Sequence, residues 1–195
     1  MEIILHRRNT AALLRETPPA YGVEMDVRSV GDRLIIHHDA FADGEDFEEW
    51  LVGYRHGTLI LNVKEEGLED RLLELMAGAE IDRFFFLDQS FPFLIRTARN
   101  GETRCAVRVS EYESVETALA LAGMVDWVWL DSFTGALPQS GELQALSQAG
   151  FRVCLVSPEL QGRNAAREVP RMQAHFAAAG VVLAAVCTKD PGLWT

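Results

Sequence analysis

Two acidic residues, Glu24 and Asp26, alternate with apolar residues in a segment that has the pattern of a β-strand. The alternation places both carboxylates and the guanidinium of Arg28 on one face of that strand. If this face is buried, a metal ion, a partner charge or water must balance the charged side chains. The same pattern is equally typical of the solvated face of an edge strand. A later segment places Asn62 and Lys64 on one face in the same way. Two strands that end in polar groups favour a chemical site.

Three of the histidines follow apolar segments, at points where strands are predicted to end. His6 is followed by two arginines, and His37 and His38 are followed by an aspartate. A single histidine at a strand end is more often structural than catalytic. Two strand-end histidines beside a pair of carboxylates favour a catalytic role instead. Imidazoles titrate near neutrality and can pass protons in opposite directions across a bound phosphate. We interpret His56 and His175 as structural or solvated.

Short apolar segments rich in Val, Ile, Leu, Phe and Trp recur along the chain, and helical periodicity separates most of them. Eight predicted strands are Ile3 to His6, Val23 to Arg28, Leu59 to Lys64, Phe84 to Asp88, Cys105 to Ser110, Trp127 to Asp131, Arg152 to Ser157 and Val182 to Cys187. The predicted helices are Asp46 to Tyr54, Leu68 to Ala77, Phe93 to Arg99, Ser114 to Met124, Gly141 to Gln148 and Asn164 to Ala179. An additional hairpin strand is predicted over Leu34 to His38.

This alternation predicts an α/β fold, a (β/α)8 TIM barrel, in which catalytic groups collect at the carboxyl ends of the strands. The chain has 195 residues, below the roughly 250 that are usual for this fold. We therefore expect a compact barrel without an inserted subdomain, which forms a single domain over residues 1–195. An open doubly wound sheet is the competing architecture, but no glycine-rich phosphate loop follows the first strand.

The composition argues against several classes of function. Lys and Arg number 18 against 29 Asp and Glu, a formal net charge of −11 with no local basic cluster, so no nucleic acid partner is expected. No long apolar segment or cleavage-site pattern is present, so neither membrane association nor secretion is expected. Cys105, Cys154 and Cys187 lie far apart in apolar segments. We expect reduced, buried thiols, which are typical of a cytoplasmic protein.

The order of the polar motifs resembles that of a known family. The motifs are His6-Arg7, Glu24-Met25-Asp26, His38-Asp39 and Asn62-Val63-Lys64. They are similar to the His-Arg, Glu-x-Asp, His-Asp and Glu-x-Lys motifs of the glycerophosphodiester phosphodiesterases, within the phospholipase-C-like phosphodiesterase superfamily. In that family these motifs lie on the first three strands of a (β/α)8 barrel. The similarity covers the first third of the chain, and a closing Thr188-Lys189-Asp190-Pro191 is similar to the family's Thr-Asp-x-Pro.

The resemblance implies a metal-assisted phosphodiesterase acting on a small soluble phosphodiester, such as a glycerophosphodiester. It implies a divalent cation, Mg²⁺ or Ca²⁺, which would polarise a phosphoryl oxygen. It also implies proton transfer by two histidines and binding of the phosphate oxygens by two cationic side chains. The implied roles are metal ligation by Glu24, Asp26 and Asn62, acid/base catalysis by His6 and His38, and phosphate binding by Arg7 and Lys64.

Three departures from the family pattern bear on the site. Arg8 stands where the family has glycine, which changes the loop at the mouth and offers a second phosphate contact. Asn62 stands where the family has an acidic ligand, so the site has one negative charge fewer and a lower expected metal affinity. The segment between His38 and the third strand is too short for the subdomain that often covers this region in the family. We therefore expect a shallower site, or one that a second subunit completes in a homo-oligomer.

Later strand ends carry further candidates. Arg108 is predicted to point into the barrel, where a cation needs an anion, so we assign it to substrate binding. Asp88, Gln89, Glu111 and Asp131 also lie at strand ends, and loop polarity is the favoured explanation for the last three.

Two alternatives to metal-assisted hydrolysis remain open at this point. The barrel could bind a phosphorylated ligand without turnover, or it could be a metal-independent phosphodiesterase or lyase in which Arg8 or Arg108 replaces the cation.

Overall fold

The computed structural model describes every residue from Met1 to Thr195. Its centre is a curled sheet of eight parallel strands whose apolar side chains are buried on both faces, as is usual for parallel sheets. These strands are β1 (Glu2–Leu5), β2 (Gly22–Val30), β5 (Leu59–Val63), β6 (Phe84–Leu87), β7 (Ala106–Val109), β8 (Trp127–Leu130), β9 (Arg152–Val156) and β10 (Ala185–Thr188). The short strands β3 (Arg33–Ile36) and β4 (Glu45–Asp46) extend β2 in the antiparallel sense.

Parallel ladders join seven pairs of neighbouring strands, in the order β6–β5–β2–β1–β10–β9–β8–β7. The first strand therefore pairs with the last. Between β2 and β5, the register sets Asp26 beside Asn62. The polar positions of these two strands consequently meet at the same edge of the sheet, as their sequence patterns predict.

No ladder joins the two ends of this order, β6 and β7. They share one isolated bridge, between Phe86 and Cys105, and the Phe86 N–H donates to the Arg104 carbonyl at 2.8 Å. Each of these strands pairs along its full length with its other neighbour, β5 or β8, so the missing ladder lies only between them. We call this gap the seam. The predicted TIM barrel is therefore confirmed in part: the mixed α/β curled sheet is present, but it stays open at the seam.

Helices connect most of the strands and pack on the outside of the sheet. They are α1 (Ala11–Glu16), α2 (Phe47–Val52), α3 (Glu69–Gly78), α4 (Phe91–Arg99), α5 (Val115–Leu119), α6 (Ser140–Gln148) and α7 (Ala165–Ala179), and short 3-10 helices span Pro158–Gln161 and Pro191–Leu193. None of the helices is both long and apolar enough to cross a lipid bilayer.

The boundaries differ from the sequence predictions at three points. Helix α1 was not predicted, because its six residues are too short to show helical periodicity; the hydroxyl of Thr10 begins it by accepting from the Leu13 N–H at 3.1 Å. The predicted helix from Ser114 is shorter and ends at Leu119. The last strand begins at Ala185, because Val182 is 85% exposed and lies outside the sheet.

The buried apolar residues form an interior cluster and a larger cluster between the sheet and the helices. Trp127 and Trp129 belong to the interior cluster, and the Trp127 ring stacks on Phe85 with centroids 4.3 Å apart. Both tryptophans are core residues, as predicted, and the three cysteines are free and buried, as expected. Hydrocarbon thus fills much of the interior, so the buried charges collect towards the carboxyl ends of the strands.

Candidate active site

The side chain of Glu24 is fully buried on β2 and accepts two hydrogen bonds. The backbone N–H of Arg7 donates to Oε2 at 2.7 Å, and the Asn62 amide Nδ2 donates to Oε1 at 2.9 Å. Arg7 has left-handed backbone (φ 50°), a conformation that non-glycine residues rarely adopt outside turns and functional sites. The end of β1 therefore bends so that a main-chain donor reaches this carboxylate.

Asp26 is also fully buried, and both polar and cationic groups contact it. Asn9 holds it from two sides: Nδ2 donates to Oδ2 at 2.7 Å, and Oδ1 accepts from the Asp26 N–H at 3.0 Å. Lys64 Nζ lies 3.2 Å from Oδ1, and Arg7 Nε lies 3.5 Å from Oδ2. Sequence reasoning did not identify Asn9, because a single polar residue in a loop carries no signal of its partner. Protein cations therefore neutralise Asp26.

His6 lies directly after β1, where its N–H donates to the Thr188 carbonyl at 2.9 Å. Its Nε2 lies 3.8 Å from Glu24 Oε2, and its side chain is 16% exposed. Burial, together with the positive charges of Arg7 and Lys189, lowers the pKa of His6 to about 4, so the imidazole is neutral at pH 7. It can therefore accept a proton.

Glu24 titrates unusually high for a carboxyl group. Its burial and the negative charge of Asp26 raise its pKa to about 7, against the hydrogen bonds from Asn62 and Arg7. When His6 accepts a proton, the ionised Glu24 carboxylate beside its ring would stabilise the imidazolium. A neutral base next to a group that titrates near neutrality is typical of proton-transfer sites.

His38 lies in the loop after β3, directly after His37, whose N–H donates to the Asp26 carbonyl at 3.1 Å. Its side chain is 42% exposed, and its Nδ1 pairs with Asp39 Oδ1 at 2.7 Å. Its carbonyl accepts from Arg28 Nε at 3.1 Å, which anchors the loop after β3. No hydrogen bond or ion pair joins His38 to His6, Glu24 or Asp26. The pairing of the two histidines that the family resemblance implies stays a prediction.

Several buried polar atoms of this group have no hydrogen-bond partner in the protein. They are His6 Nδ1, Asp26 Oδ1, Asn62 Oδ1 and Arg8 Nε. Leaving a buried polar atom unpaired costs about 1–3 kcal/mol, so such atoms are rare unless they have a function. Their concentration at the ends of β1, β2 and β5 marks the place where a polar ligand would bind.

The predicted metal ligands fit a divalent cation, although they form a weak donor set. Asp26 Oδ1 and Asn62 Oδ1 belong to residues paired in register and accept no hydrogen bond, and hard oxygen atoms suit Mg²⁺ and Ca²⁺. No group of three His, Cys, Asp or Glu side chains is arranged to hold a metal ion, because the third residue is an amide. Lys64 already places a positive charge on Asp26. A cation would therefore compete with the Lys64 ammonium.

Arg108 points to the carboxyl end of the sheet but is surrounded by acidic side chains. It donates to Asp88 and, from NH1, to Asp131 Oδ2 at 2.7 Å, and its Nε lies 3.7 Å from Glu113. Asp88 also contacts Lys64, whose Nζ lies 3.3 Å from Oδ2. The sequence predicts an anion near Arg108, and the protein itself supplies that anion. Its assigned role in substrate binding stays a prediction.

The remaining candidates mainly hold loops. Gln89 Nε2 donates to Glu69 and to Thr97, both at 3.0 Å. Glu111 accepts from the backbone of the loop after β8, and these bonds outweigh burial and lower its pKa to about 2. The Arg8 carbonyl accepts from Trp50 Nε1 at 3.0 Å, and its buried Nε has no hydrogen-bond partner.

No protein-family model matches the chain, and no curated protein matches it in sequence. Solved structures do match it. A glycerophosphodiester phosphodiesterase from Agrobacterium tumefaciens superposes with a TM-score of 0.71 at 14% identity, over 99% of this chain and 97% of its own. A glycerophosphoryl diester phosphodiesterase from Parabacteroides distasonis superposes with a TM-score of 0.65 at 11% identity, over 98% and 84%. The resemblance to these phosphodiesterases is confirmed at the level of the fold.

The same fold also occurs in a protein of different chemistry. A tryptophan synthase α-subunit from Pyrococcus furiosus superposes with a TM-score of 0.60 at 13% identity, over 95% of this chain and 85% of its own. A shared fold does not by itself assign a reaction. The assignment therefore rests on the side chains at the strand ends.

Proposed function

We propose that this chain hydrolyses a small soluble phosphodiester, with glycerophosphodiesters as the first candidates. The observation that carries the proposal is the group of unpaired, buried polar atoms around His6, beside two cationic side chains, at the carboxyl ends of β1, β2 and β5. Structural similarity to phosphodiesterases supports it. A phosphate would meet opposite charge at Arg7 and Lys64, whereas the unpaired oxygens Asp26 Oδ1 and Asn62 Oδ1 suit a cation.

Arg7 and Lys64 would bind the phosphate. The Arg7 side chain is 43% exposed and reaches Asp26 only through Nε, so its terminal nitrogens remain available. Lys64 is 14% exposed and has three donors, of which two face Asp26 and Asp88. Both cations would also stabilise the negative charge that develops on the phosphoryl oxygens in the transition state.

His6 would transfer the proton. Its neutral imidazole would take a proton from the attacking hydroxyl group, of water or of the substrate, while the new P–O bond forms. Glu24 would stabilise the imidazolium. As the bond between phosphorus and the leaving alcohol breaks, the alkoxide would receive a proton from the imidazolium or from a second acid. His38 as that second acid stays a prediction.

A divalent cation belongs to this proposal as a prediction. Glu24, Asp26 and Asn62 would hold it, and it would polarise a non-bridging phosphoryl oxygen. The Lys64 ammonium would then be free to contact the phosphate instead of Asp26.

The structure bears differently on the two alternatives to metal-assisted hydrolysis, a ligand-binding barrel without turnover and a metal-independent reaction. If no metal ion occupies the weak donor set of Glu24, Asp26 and Asn62, then Asn62 and Arg8 favour a barrel that binds its ligand without turnover. A metal-independent reaction would need an arginine at the phosphate. Arg108 is poorly placed for that, because Asp88 and Asp131 occupy its terminal nitrogens, which leaves Arg8 as the candidate.

A screen of soluble phosphodiesters by mass spectrometry tests the proposal. Each compound is incubated with the protein in Mg²⁺, in Ca²⁺ or with a chelator. His6→Ala should lower kcat at least about 10²-fold if His6 transfers the proton. His175→Gln is the matched control, because His175 binds the Pro138 carbonyl away from the site.

The outcomes separate the candidates. Cleavage that requires a metal ion and His6 supports the proposal. Cleavage that survives the chelator but is lost in Arg8→Ala supports the metal-independent reaction. Binding of phosphodiesters without any cleavage contradicts the hydrolase and supports the binding barrel. Homo-oligomer formation and a cytoplasmic location stay predictions.

A further inference from the structure

A cavity of about 700 Å³ opens beside the β2–β3 hairpin and the loop that follows β3. Val30, Ala40, Phe41 and Ala42 supply its apolar lining. The Phe41 side chain is fully exposed, and Val30 is 44% exposed. We call these four residues and their cavity the hairpin face. Single exposed apolar residues are common on protein surfaces, whereas a contiguous exposed apolar patch is typical of an interaction site.

The backbone fixes Phe41 in this protruding position. Phe41 has left-handed backbone (φ 60°), which is rare for a bulky residue. The loop that carries it is anchored at both ends, because the Arg28 guanidinium donates to the His38 carbonyl and β4 pairs with β3 through Asp46 and Ile35. An anchored loop presents the ring, so docking on it costs little conformational entropy.

The charged residues of the hairpin face cancel. Arg28 and Glu65 line the cavity, and Arg28 NH1 lies 3.4 Å from Glu65 Oε1. Asp43 also lines it, and its Oδ1 lies 3.9 Å from Arg33 NH2. The Arg33 side chain is 56% exposed and that of Asp43 is 81% exposed, so both can form further ion pairs. The whole chain has a net charge of −11, and two copies of so acidic a chain repel least where the surface is locally neutral.

The hairpin face is also self-complementary, as a contact between two identical copies requires. In a twofold-symmetric contact each residue pair occurs twice, so one patch must carry both members of every contact. The hairpin face carries a protruding ring beside an apolar cavity, and an exposed cation beside an exposed anion. A lipid surface or an unrelated protein would not require both members on one patch.

We propose that a second copy of this chain docks on the hairpin face through a twofold-symmetric contact centred on Phe41. The two Phe41 rings would meet near the twofold axis, and Arg33 of each copy would pair with the partner's Asp43. The predicted homo-oligomer thereby acquires a defined surface. The contact does not depend on the proposed phosphodiester hydrolysis.

The docked copy would close one side of the candidate site. It would cover the loop from His38 to Asp43, where the chain is too short for the subdomain that often covers this region in the glycerophosphodiester phosphodiesterases. Arg28 lies between this cover and the site, because it lines the cavity and binds the His38 carbonyl. The contact would therefore hold the His38 loop in place.

The size of the hairpin face sets the expected strength of the contact. The cavity is lined by 8 residues, fewer than the roughly 20–30 residues that each side of a standard interface contributes. We therefore expect a dimer in exchange with the monomer, with a Kd of about 10–100 µM. Sedimentation velocity between about 1 and 300 µM measures it without any substrate.

Phe41→Asn tests the ring. Asparagine tolerates left-handed backbone, so the loop should keep its conformation while both rings of the contact are lost. We expect the dimer affinity to fall by about tenfold or more. Tyr112→Asn is the matched control, because it removes another aromatic ring, 76% exposed on the loop after β7, and should leave the affinity unchanged.

Charge reversal tests the pairing between copies. Arg33→Asp and Asp43→Arg should each weaken the homodimer about tenfold, because like charges then face each other twice. Both side chains are largely exposed, so folding should be preserved. A mixture of the two variants should restore the dimer, since every pair between copies again joins opposite charges. Ion pairing within one chain cannot produce this rescue.

A dimer that Phe41→Asn weakens and that mixing the charge variants restores supports the proposal. A chain that stays monomeric at about 300 µM, a dimer that Phe41→Asn leaves unchanged, or a mixture that fails to dimerise would overturn it. Binding of the monomer to phosphatidylcholine vesicles, lost in Phe41→Asn, would assign the hairpin face to a lipid surface instead. None of these measurements needs turnover, so failure of this proposal and failure of the hydrolase proposal are separately visible.

Discussion

The two sides of the curled sheet balance charge in opposite ways. On the β1, β2 and β5 side, hydrogen-bond donors and the cations Arg7 and Lys64 surround two buried carboxylates. At the seam, three carboxylates surround one guanidinium. The same types of side chain therefore produce a surface with donors on one side and a surface with acceptors on the other.

The two sides also differ in backbone pairing. Five residues of β2 pair in register with β5, whereas β6 and β7 share one bridge. A full ladder holds Asp26 and Asn62 in a defined relation, as ligation and proton transfer require. The gap at the seam leaves room for a cavity. The β2–β5 ladder therefore fixes the relative positions of the site residues, whereas the gap between β6 and β7 leaves space for a cavity.

The comparison predicts the largest effect on the donor side. Lys64→Met should lower kcat/KM about 10²- to 10³-fold, because an ammonium group that stabilises the phosphoryl oxygens is lost. Steady-state kinetics on the best diester of the screen measures it. Arg33→Met is the control, since Arg33 is 56% exposed and pairs only with Asp43. A loss below tenfold would contradict phosphate binding by Lys64.

On the seam side, removal of the cation should affect stability more than catalysis. Arg108→Met leaves Asp131, which is 2% exposed, without its charge partner, and should lower the free energy of unfolding by about 3 kcal/mol. Urea denaturation measures this, and a second substitution, Asp131→Asn, should restore part of the loss. If instead Arg108→Met folds normally and loses activity as Lys64→Met does, Arg108 binds the phosphate and the distinction between the two sides fails.

Glu24 connects charge balance on the donor side to pH. Its pKa in the folded chain, about 7, lies above the ordinary value of 4.5, so its contribution to stability is complete below pH 4.5 and is lost as the pH rises through 7. Glu24→Gln cannot ionise, so it should remove this dependence, and its stability should no longer fall between pH 5 and pH 8 because of this residue. Thermal unfolding at pH 5 and pH 8 measures it.

The same substitution should change the pH profile of catalysis. The rise of kcat/KM through about pH 7, where Glu24 becomes able to stabilise the His6 imidazolium, should disappear. An unchanged profile in Glu24→Gln would show that another group sets it.

The smallest effect concerns the third ligand position. Asn62→Asp adds a carboxylate beside Asp26 and should raise the affinity for Mg²⁺ or Ca²⁺ about tenfold, because affinity depends on the number of charged ligands. Thermal shifts with and without each ion measure it independently of activity. If the ions stabilise this variant no more than the original chain, the predicted ligand set is wrong.

Much of the sheet could be predicted from the sequence, because period-2 alternation and turn residues are local signals. The predicted strands ended near the observed ones, and the alternation correctly placed Glu24 and Asp26 on one buried face. The open seam could not be predicted, because the pairing of β6 with β7 depends on how the chain closes in three dimensions.

The composition of the site was predictable in part. Motif order identified the residues that contact one another around Glu24 and Asp26. It did not identify Asn9, which sequence alone shows only as a polar loop residue, nor that Asp88 connects Lys64 to Arg108. The position of His38 depends on a loop anchored by Arg28, a contact across the fold that no local pattern records.

The left-handed backbone at Arg7 lets one residue serve both carboxylates, through its N–H to Glu24 and its side chain to Asp26. The backbone contact and the side-chain contact can be separated by mutation. Replacements that tolerate a left-handed backbone keep the N–H contact to Glu24, whereas proline removes the donor. The charge of the side chain at position 7, and with it the type of ligand that the site prefers, can therefore change while the backbone N–H still binds the loop to Glu24 on the sheet.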